Sequence, residues 1–188
     1  MSKSTHETEI KLAVKDARSA RRLLREAGFT VSRRRVFEAN TVFDTPDQLL
    51  RNSSSLLRIR QAGGVTTITY KGVPEPGAYK SREELELTID NAPAMVAIVE
   101  RLGFGGVFRY EKYRTEFRLP ERAGVAMLDE TPVGVYLELE GTPRWIDRAA
   151  RRLGFQKSDY ITASYARMYL DWCAALGCKP GDMTFGRG

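Results

Sequence analysis

With 188 residues the chain has the length of one ordinary domain, enough to bury a core without disulfide or metal staples. Hydrophobic residues make up 42% and charged residues 29%, a globular balance that argues against a disordered chain, and no apolar run approaches the roughly 20 residues of a membrane span. Lys and Arg number 30 against 24 Asp and Glu, and the net charge of +6 favours anionic partners.

Residues 7–14 alternate charged and apolar side chains, the period of a strand with one buried face. Residues 15–27 switch to helical spacing, with Ala17, Ala20, Leu23, Leu24 and Ala27 on one stripe and Gly28 closing it. Further strands are predicted over 30–44, 55–61, 65–71, 82–89, 107–119, 124–129 and 134–140, with Gly63-Gly64 as a hairpin signal. A short helix is expected over 46–51 with Thr45 as its cap, and a terminal one over 158–176. Ala27-Gly28-Phe29, Leu102-Gly103-Phe104 and Leu153-Gly154-Phe155 repeat one helix ending, a Gly suited to a left-handed cap followed by a packing Phe. No linker divides the chain, so 1–177 reads as a single domain and 178–188 as a mobile tail. Cys173 and Cys178 lie far in sequence from the sole histidine, His6, a poor pattern for zinc. Residues 1–5 lack the apolar core of a signal peptide, and a cytoplasmic location is expected.

Side chains two apart on a strand share a face, so Glu7, Glu9 and Lys11 point one way while Thr8, Ile10 and Leu12 point the other. Arg58 and Arg60 alternate with Leu57 and Ile59, Arg82, Glu84 and Glu86 with Leu85 and Leu87, and Glu138 and Glu140 with Leu137 and Leu139. Lys112 and Arg114 flank Tyr113, and Asp129 ends an apolar strand. One such strand would be an ordinary solvated face. Over several strands the charges segregate into acidic pairs and basic pairs, which suits a binding surface better. If the sheet curls with this face inward, clustered carboxylates suit Mg²⁺ or Mn²⁺, while the Arg and Lys pairs present donors to phosphate oxygens. Metal on one wall and cations on the other describe a polyphosphate site, because positioning and charge neutralisation carry most of phosphoryl transfer. Acidic pairs among the basic ones repel nucleic-acid phosphates and argue against nucleic acid as the partner. Arg33, Arg34 and Arg35, with Arg18, Arg21, Arg22 and Arg25, form a second basic concentration, of which the arginines on the helix read as a solvated face.

Taken in order, Glu7-x-Glu9-x-Lys11, Arg58-Ile59-Arg60, Thr69-Tyr70-Lys71-Gly72, Arg82-Glu83-Glu84-Leu85-Glu86, Lys112-Tyr113-Arg114, Leu128-Asp129 and Leu137-Glu138-Leu139-Glu140 resemble the CYTH domain family, also called triphosphate tunnel metalloenzymes. The resemblance spans 7–169, and the family includes class IV adenylate cyclases, thiamine triphosphatases and inorganic triphosphatases. It implies an α+β fold, a closed eight-stranded antiparallel β-barrel with a polar tunnel and helices outside. By position it implies Glu7, Glu9, Glu138 and Glu140 as ligands of Mg²⁺ or Mn²⁺, with Asp129 assisting. Lys11, Arg58, Arg60, Lys71, Arg82, Lys112 and Arg114 would hold a triphosphate such as tripolyphosphate or ATP. Glu84 and Glu86 would orient these cations or a second metal, and so join Glu7, Glu9 and Lys11 in the catalytic set. Tyr165 on the terminal helix would help to close one mouth. The expected activity is metal-dependent hydrolysis of a linear triphosphate moiety. Cyclisation of ATP to cyclic AMP and pyrophosphate is the alternative from the same clamp, and a polyphosphate-binding sensor is the non-enzymatic one. Leu56 stands where mammalian thiamine triphosphatases carry Trp, which argues against thiamine triphosphate.

Overall fold

A computed structural model of the chain describes residues 5–186. The strands are β1 (Thr5–Val14), β2 (Thr30–Asp44), β3 (Leu56–Ala62), β4 (Val65–Lys71), β5 (Lys80–Ile89), β6 (Gly105–Arg118), β7 (Gly124–Thr131) and β8 (Gly134–Gly141). They close into an antiparallel barrel in the order β1-β5-β4-β3-β2-β6-β7-β8, as the family resemblance implied. The helices α1 (Ala17–Glu26), α2 (Leu49–Asn52), α3 (Ala92–Arg101), α4 (Pro143–Arg152) and α5 (Tyr165–Leu176) lie between or after the strands. None of the described helices is long and apolar enough to cross a membrane.

Strand parity decides which side is core. Ile10, Leu12, Leu128, Leu137 and Leu139 face outward and are buried by Leu24 of α1 and by Trp145 and Ile146 of α4. Val99 of α3 covers Phe43 and Ile59 in the same way. The apolar face of the sheet is therefore the outer one, and the charged face lines the interior.

Local chemistry fixes the helix ends. Asp16, Asn91, Thr142 and Ser164 each accept a backbone N–H three residues on, as N-caps do. Gly28, Gly103 and Gly154 have φ of 82°, 93° and 85°, and the amides of Phe29, Phe104 and Phe155 bond back to the carbonyls of Leu24, Val99 and Ala150. The repeated Gly-Phe ending is thus one C-capping motif used three times.

Three segments differ from expectation. The first short helix starts at Leu49 instead of residue 46, because the Asp44 carboxylate draws in the amides of Thr45, Leu50 and Arg51. The terminal helix starts at Tyr165, where Ser164 caps it; Lys157–Asp159 form a separate 3-10 turn, and Ile161 exchanges backbone hydrogen bonds with Lys11. The segment expected to be a mobile tail runs beside β6 as far as it is described. Met183 is 1% exposed, exchanges backbone bonds with Arg109 and Glu111, and packs with Tyr110 and Tyr169.

The α4 clamp leaves no spare volume at the strand ends. A Cβ on Gly124 would fall 2.5 Å from the Trp145 ring and 2.7 Å from the Glu140 carbonyl oxygen. Gly124→Ala should lower unfolding free energy by about 2 kcal/mol, read by urea denaturation; an unchanged midpoint would show that the Trp145 packing is looser than described.

Candidate active site

The inward charges converge on one cavity of about 460 Å³. It is lined by Glu7, Glu9, Lys11, Arg58, Arg60, Lys71, Arg82, Glu84, Glu86, Lys112, Arg114, Glu138 and Glu140, all singled out from the sequence. Asp129 is set apart. It is fully buried behind this wall, where it accepts hydrogen bonds from Lys112 at 2.8 Å, from both forks of Arg114 at 2.7 and 2.6 Å, and from the Tyr165 hydroxyl at 2.7 Å.

Antiparallel register builds the site as cross-strand pairs. Lys11 lies opposite Glu138, Lys80 opposite Glu9, Lys71 opposite Glu84, Lys112 opposite Glu38 and Arg114 opposite Asp129. Each pair is also an ion pair, at 3.3, 2.9, 2.9, 3.6 and 2.6 Å respectively. Glu86 ties Arg60 at 3.0 Å and reaches Arg58 at 3.8 Å, while Tyr110 and Thr69 accept hydrogen bonds from the Arg58 fork.

Two positions break this pattern. Glu9 lies directly opposite Glu140, a like-charge pair that costs free energy in a sheet. Arg82 lies opposite Glu7, yet Glu7 is bound by Lys71 instead. Arg82 is 8% exposed, makes no ion pair among the described residues, and keeps its Nε buried without a hydrogen-bond partner. A buried guanidinium without an anion is an unmet demand for one.

The carboxylates show the complementary demand. Burial, with the contact to Glu84, pushes Glu7 up to about 8 against the pull of Lys71. Burial and the Glu138 charge push Glu140 up to about 7. Glu9 is held well below the usual range, because Lys11, Lys80 and Lys71 outweigh its burial. Burial brings Lys80 down to about 8 despite Glu9.

Among the described residues no three acidic, histidine or cysteine groups stand as a finished metal cluster, since lysines lie between the carboxylates. The donor set nevertheless fits a hard divalent ion. Glu7, Glu9, Glu138 and Glu140 supply only oxygens from the adjoining strands β1 and β8, with Glu9 and Glu140 facing each other as like charges.

Several site residues escaped the sequence reading. Lys80 precedes Arg82 by two and shares its face, because β5 begins at Lys80, two residues ahead of the predicted strand 82–89. Glu38 carries a buried Oε2 that makes ion pairs with Lys112 and Arg60 but no hydrogen bond; Tyr110, Arg33 and Arg118 also line the cavity. At the α5 mouth the cavity shares Val42, Leu56, Lys80, Arg82 and Ser164 with a wider vestibule of about 1340 Å³. Phe108, Tyr79, Tyr169, Leu170, Pro74 and Pro76 make part of its wall.

The family model described as CYTH domain matches residues 5–165. A protein of Methanocaldococcus jannaschii, provisionally named an adenylate cyclase, is 31% identical over 134 residues, which is 71% of this chain and 75% of that protein. A solved structure from Pyrococcus horikoshii superposes with a TM-score of 0.75 at 23% identity, covering 88% of this chain and 98% of the other. A Hippeastrum protein, provisionally named an adenylyl cyclase and described as having a dominant triphosphatase activity, gives a TM-score of 0.63 at 22% identity, covering 93% and 97%.

The raised carboxyl of Glu140 has a stability consequence. Its folded-state value of about 7 exceeds the ordinary 4.5, so the folded protein holds the extra proton and stability falls as pH rises through that interval. In metal-free buffer, Glu140→Gln should raise the melting temperature at high pH by roughly 3 °C and change it little below the ordinary carboxyl range. Equal shifts at both ends of the pH scale, in calorimetry, would contradict a buried, repelled carboxylate.

Proposed function

Because the chain belongs to the CYTH domain family, we propose that it is a divalent-metal-dependent phosphohydrolase that cleaves a linear triphosphate moiety inside the tunnel. The observation that carries this reading is Arg82, a cation buried without an ion-pair partner in a cavity whose adjoining strands β1 and β8 crowd carboxylates together. A polyanion bound with a divalent cation answers both imbalances at once, whereas either alone answers one.

Glu7, Glu9, Glu138 and Glu140 would hold Mg²⁺ or Mn²⁺. Bound there, such an ion neutralises phosphate oxygens and polarises the phosphoryl group. Lys71 and Lys80 serve as counter-ions to Glu7 and Glu9 in the free protein, and neutralising those carboxylates frees both lysines for phosphate. Arg58, Arg60, Arg82, Lys112 and Arg114 present forked and point-like donors, and Lys11 joins them from the acidic wall. Glu86 and Asp129 act behind them as positioning residues. Glu86 steadies the Arg58 and Arg60 forks, and Asp129 fixes Lys112, Arg114 and the Tyr165 hydroxyl. Glu84 holds Lys71. Water adds to the terminal phosphorus in line as the bridging P–O bond breaks, releasing orthophosphate and the shortened chain.

The vestibule favours a second reading. Its partly apolar wall opens directly from the tunnel and has room for a nucleoside, which cyclisation of ATP to cyclic AMP and pyrophosphate requires. Incubation with tripolyphosphate, ATP and thiamine triphosphate, each with Mg²⁺ or Mn²⁺, separates these by phosphorus NMR. Orthophosphate release is expected; pyrophosphate with cyclic AMP would establish the cyclase instead, and no turnover of any of the three would sink the enzyme reading.

Arg82 separates binding from folding. Arg82→Gln removes a buried unpaired charge, so the metal-free variant should be as stable as the parent or more so, while tripolyphosphate binding weakens about tenfold or more. Calorimetric titration beside thermal melts checks both; parent-like affinity would remove Arg82 from the site. Glu138→Ala should chiefly raise the metal concentration needed for half-maximal turnover, and an unchanged requirement would take Glu138 out of the metal set.

A further inference from the structure

The acidic pairs that argued against nucleic acid all face the tunnel. The outer surface of β2 and β6 has a different composition. Phe37 and Tyr113 are register partners facing outward, with ring centroids 5.2 Å apart. Phe185, from the segment docked beside β6, stands 5.3 Å from Tyr113. Arg35 stacks its guanidinium 3.4 Å over the Tyr113 ring. Phe37 is 41% exposed although it belongs to none of the apolar clusters under the helices.

A basic surface is continuous with these rings. Glu130 binds Arg35 of β2 at 2.9 Å and Arg21 of α1 at 3.2 Å, which joins the β2 arginine run to the helix. Arg18 and Arg25 lie on the same side of α1 as Arg21, at spacings of three and four residues, and both are exposed. Arg18, Arg25 and Arg34 make no ion pair among the described residues; of the nearby acids, Glu130 and Glu26 are paired with arginines, and Glu111, on the Tyr113 face of β6, accepts the Phe185 amide. Phe37 is exposed and Tyr113 and Phe185 are half-buried beside it, and such rings next to unpaired guanidinium groups combine base stacking with phosphate attraction.

We propose that this outer face of β2 and β6, with the exposed stripe of α1, binds single-stranded nucleic acid independently of the tunnel. Bases stack on the Phe37, Tyr113 and Phe185 platform, and phosphates lie against Arg18, Arg25 and Arg34. Single strands are preferred over duplex because only unpaired bases offer their faces to the rings.

Fluorescence anisotropy tests this with the full chain and a 3′-labelled RNA of about 12 nucleotides carrying a 5′ hydroxyl, so that no triphosphate is present for the tunnel to grip. Expected is saturable binding that weakens at least tenfold between about 50 and 200 mM salt. The surface variant Arg18→Glu/Arg25→Glu/Arg34→Glu should lose about tenfold or more, and Phe37→Ala about fivefold, with both proteins melting like the parent. Arg82→Gln and excess tripolyphosphate should leave RNA binding in place. The proposal is overturned by absence of binding at low salt, by parent-like affinity in the triple variant, or by displacement with tripolyphosphate. Duplex bound as tightly as single strand, or anionic vesicles bound with the same dependence on the three arginines, would overturn it too.

Discussion

The structure depends on one constraint: a barrel closed with its charged face inward must neutralise most of its interior charges with partners inside the barrel, chiefly across strand boundaries. Moving a carboxylate or an ammonium ion out of water costs several kcal/mol even after relaxation, so this many charged groups around one cavity are tolerable only in register. Antiparallel pairing supplies that register. Lys11 with Glu138, Lys71 with Glu84 and Arg114 with Asp129 are opposed because strand alignment puts them there, and the ion pairs in turn disfavour a one-residue slip. The geometry of the candidate site and the barrel alignment thus rest on the same set of contacts.

Stability comes largely from the other face. Trp145, Ile146 and Leu24 close over the outward leucines of β1, β7 and β8 in a continuous apolar layer, and α3 repeats the arrangement over β2 and β3. That layer offsets an interior left deliberately out of balance at Glu9 against Glu140 and at Arg82. Proteins commonly carry such unfavourable electrostatics where a ligand will later resolve them. The third apolar cluster links the two faces. Tyr165 sends its hydroxyl inward to Asp129 while its ring packs with Tyr110 and Tyr136, so the last helix is both a wall of the core and part of the tunnel's lining.

The outer face of β2 and β6 shows what parity does elsewhere. Irregular pairing between Arg33 and Val36 changes the alternation, so that Arg33 lines the tunnel while Arg35 lies outside on Tyr113. A run of three arginines that reads as one patch in the sequence is therefore divided between two surfaces with different demands.

Much of the molecule was legible in advance. Period-two alternation identified the strands and sorted their faces, because a strand permits only two directions for a side chain. The Gly-Phe endings located three helix termini, because only a left-handed cap needs that glycine. The sequence by itself determined which charges stand together on each strand and, through ordered motifs, the family and the closed barrel. Only the tertiary structure decided who faces whom: that Glu7 is taken by Lys71 and leaves Arg82 alone, that Glu38 and Lys80 line the cavity, that Asp129 is buried beneath Lys112 and Arg114, and that the residues after α5 lie on β6. Ion pairing across strands follows register and rotamer, which involve residues distant in sequence, and no local pattern specifies the partner of a charge that several neighbours could satisfy.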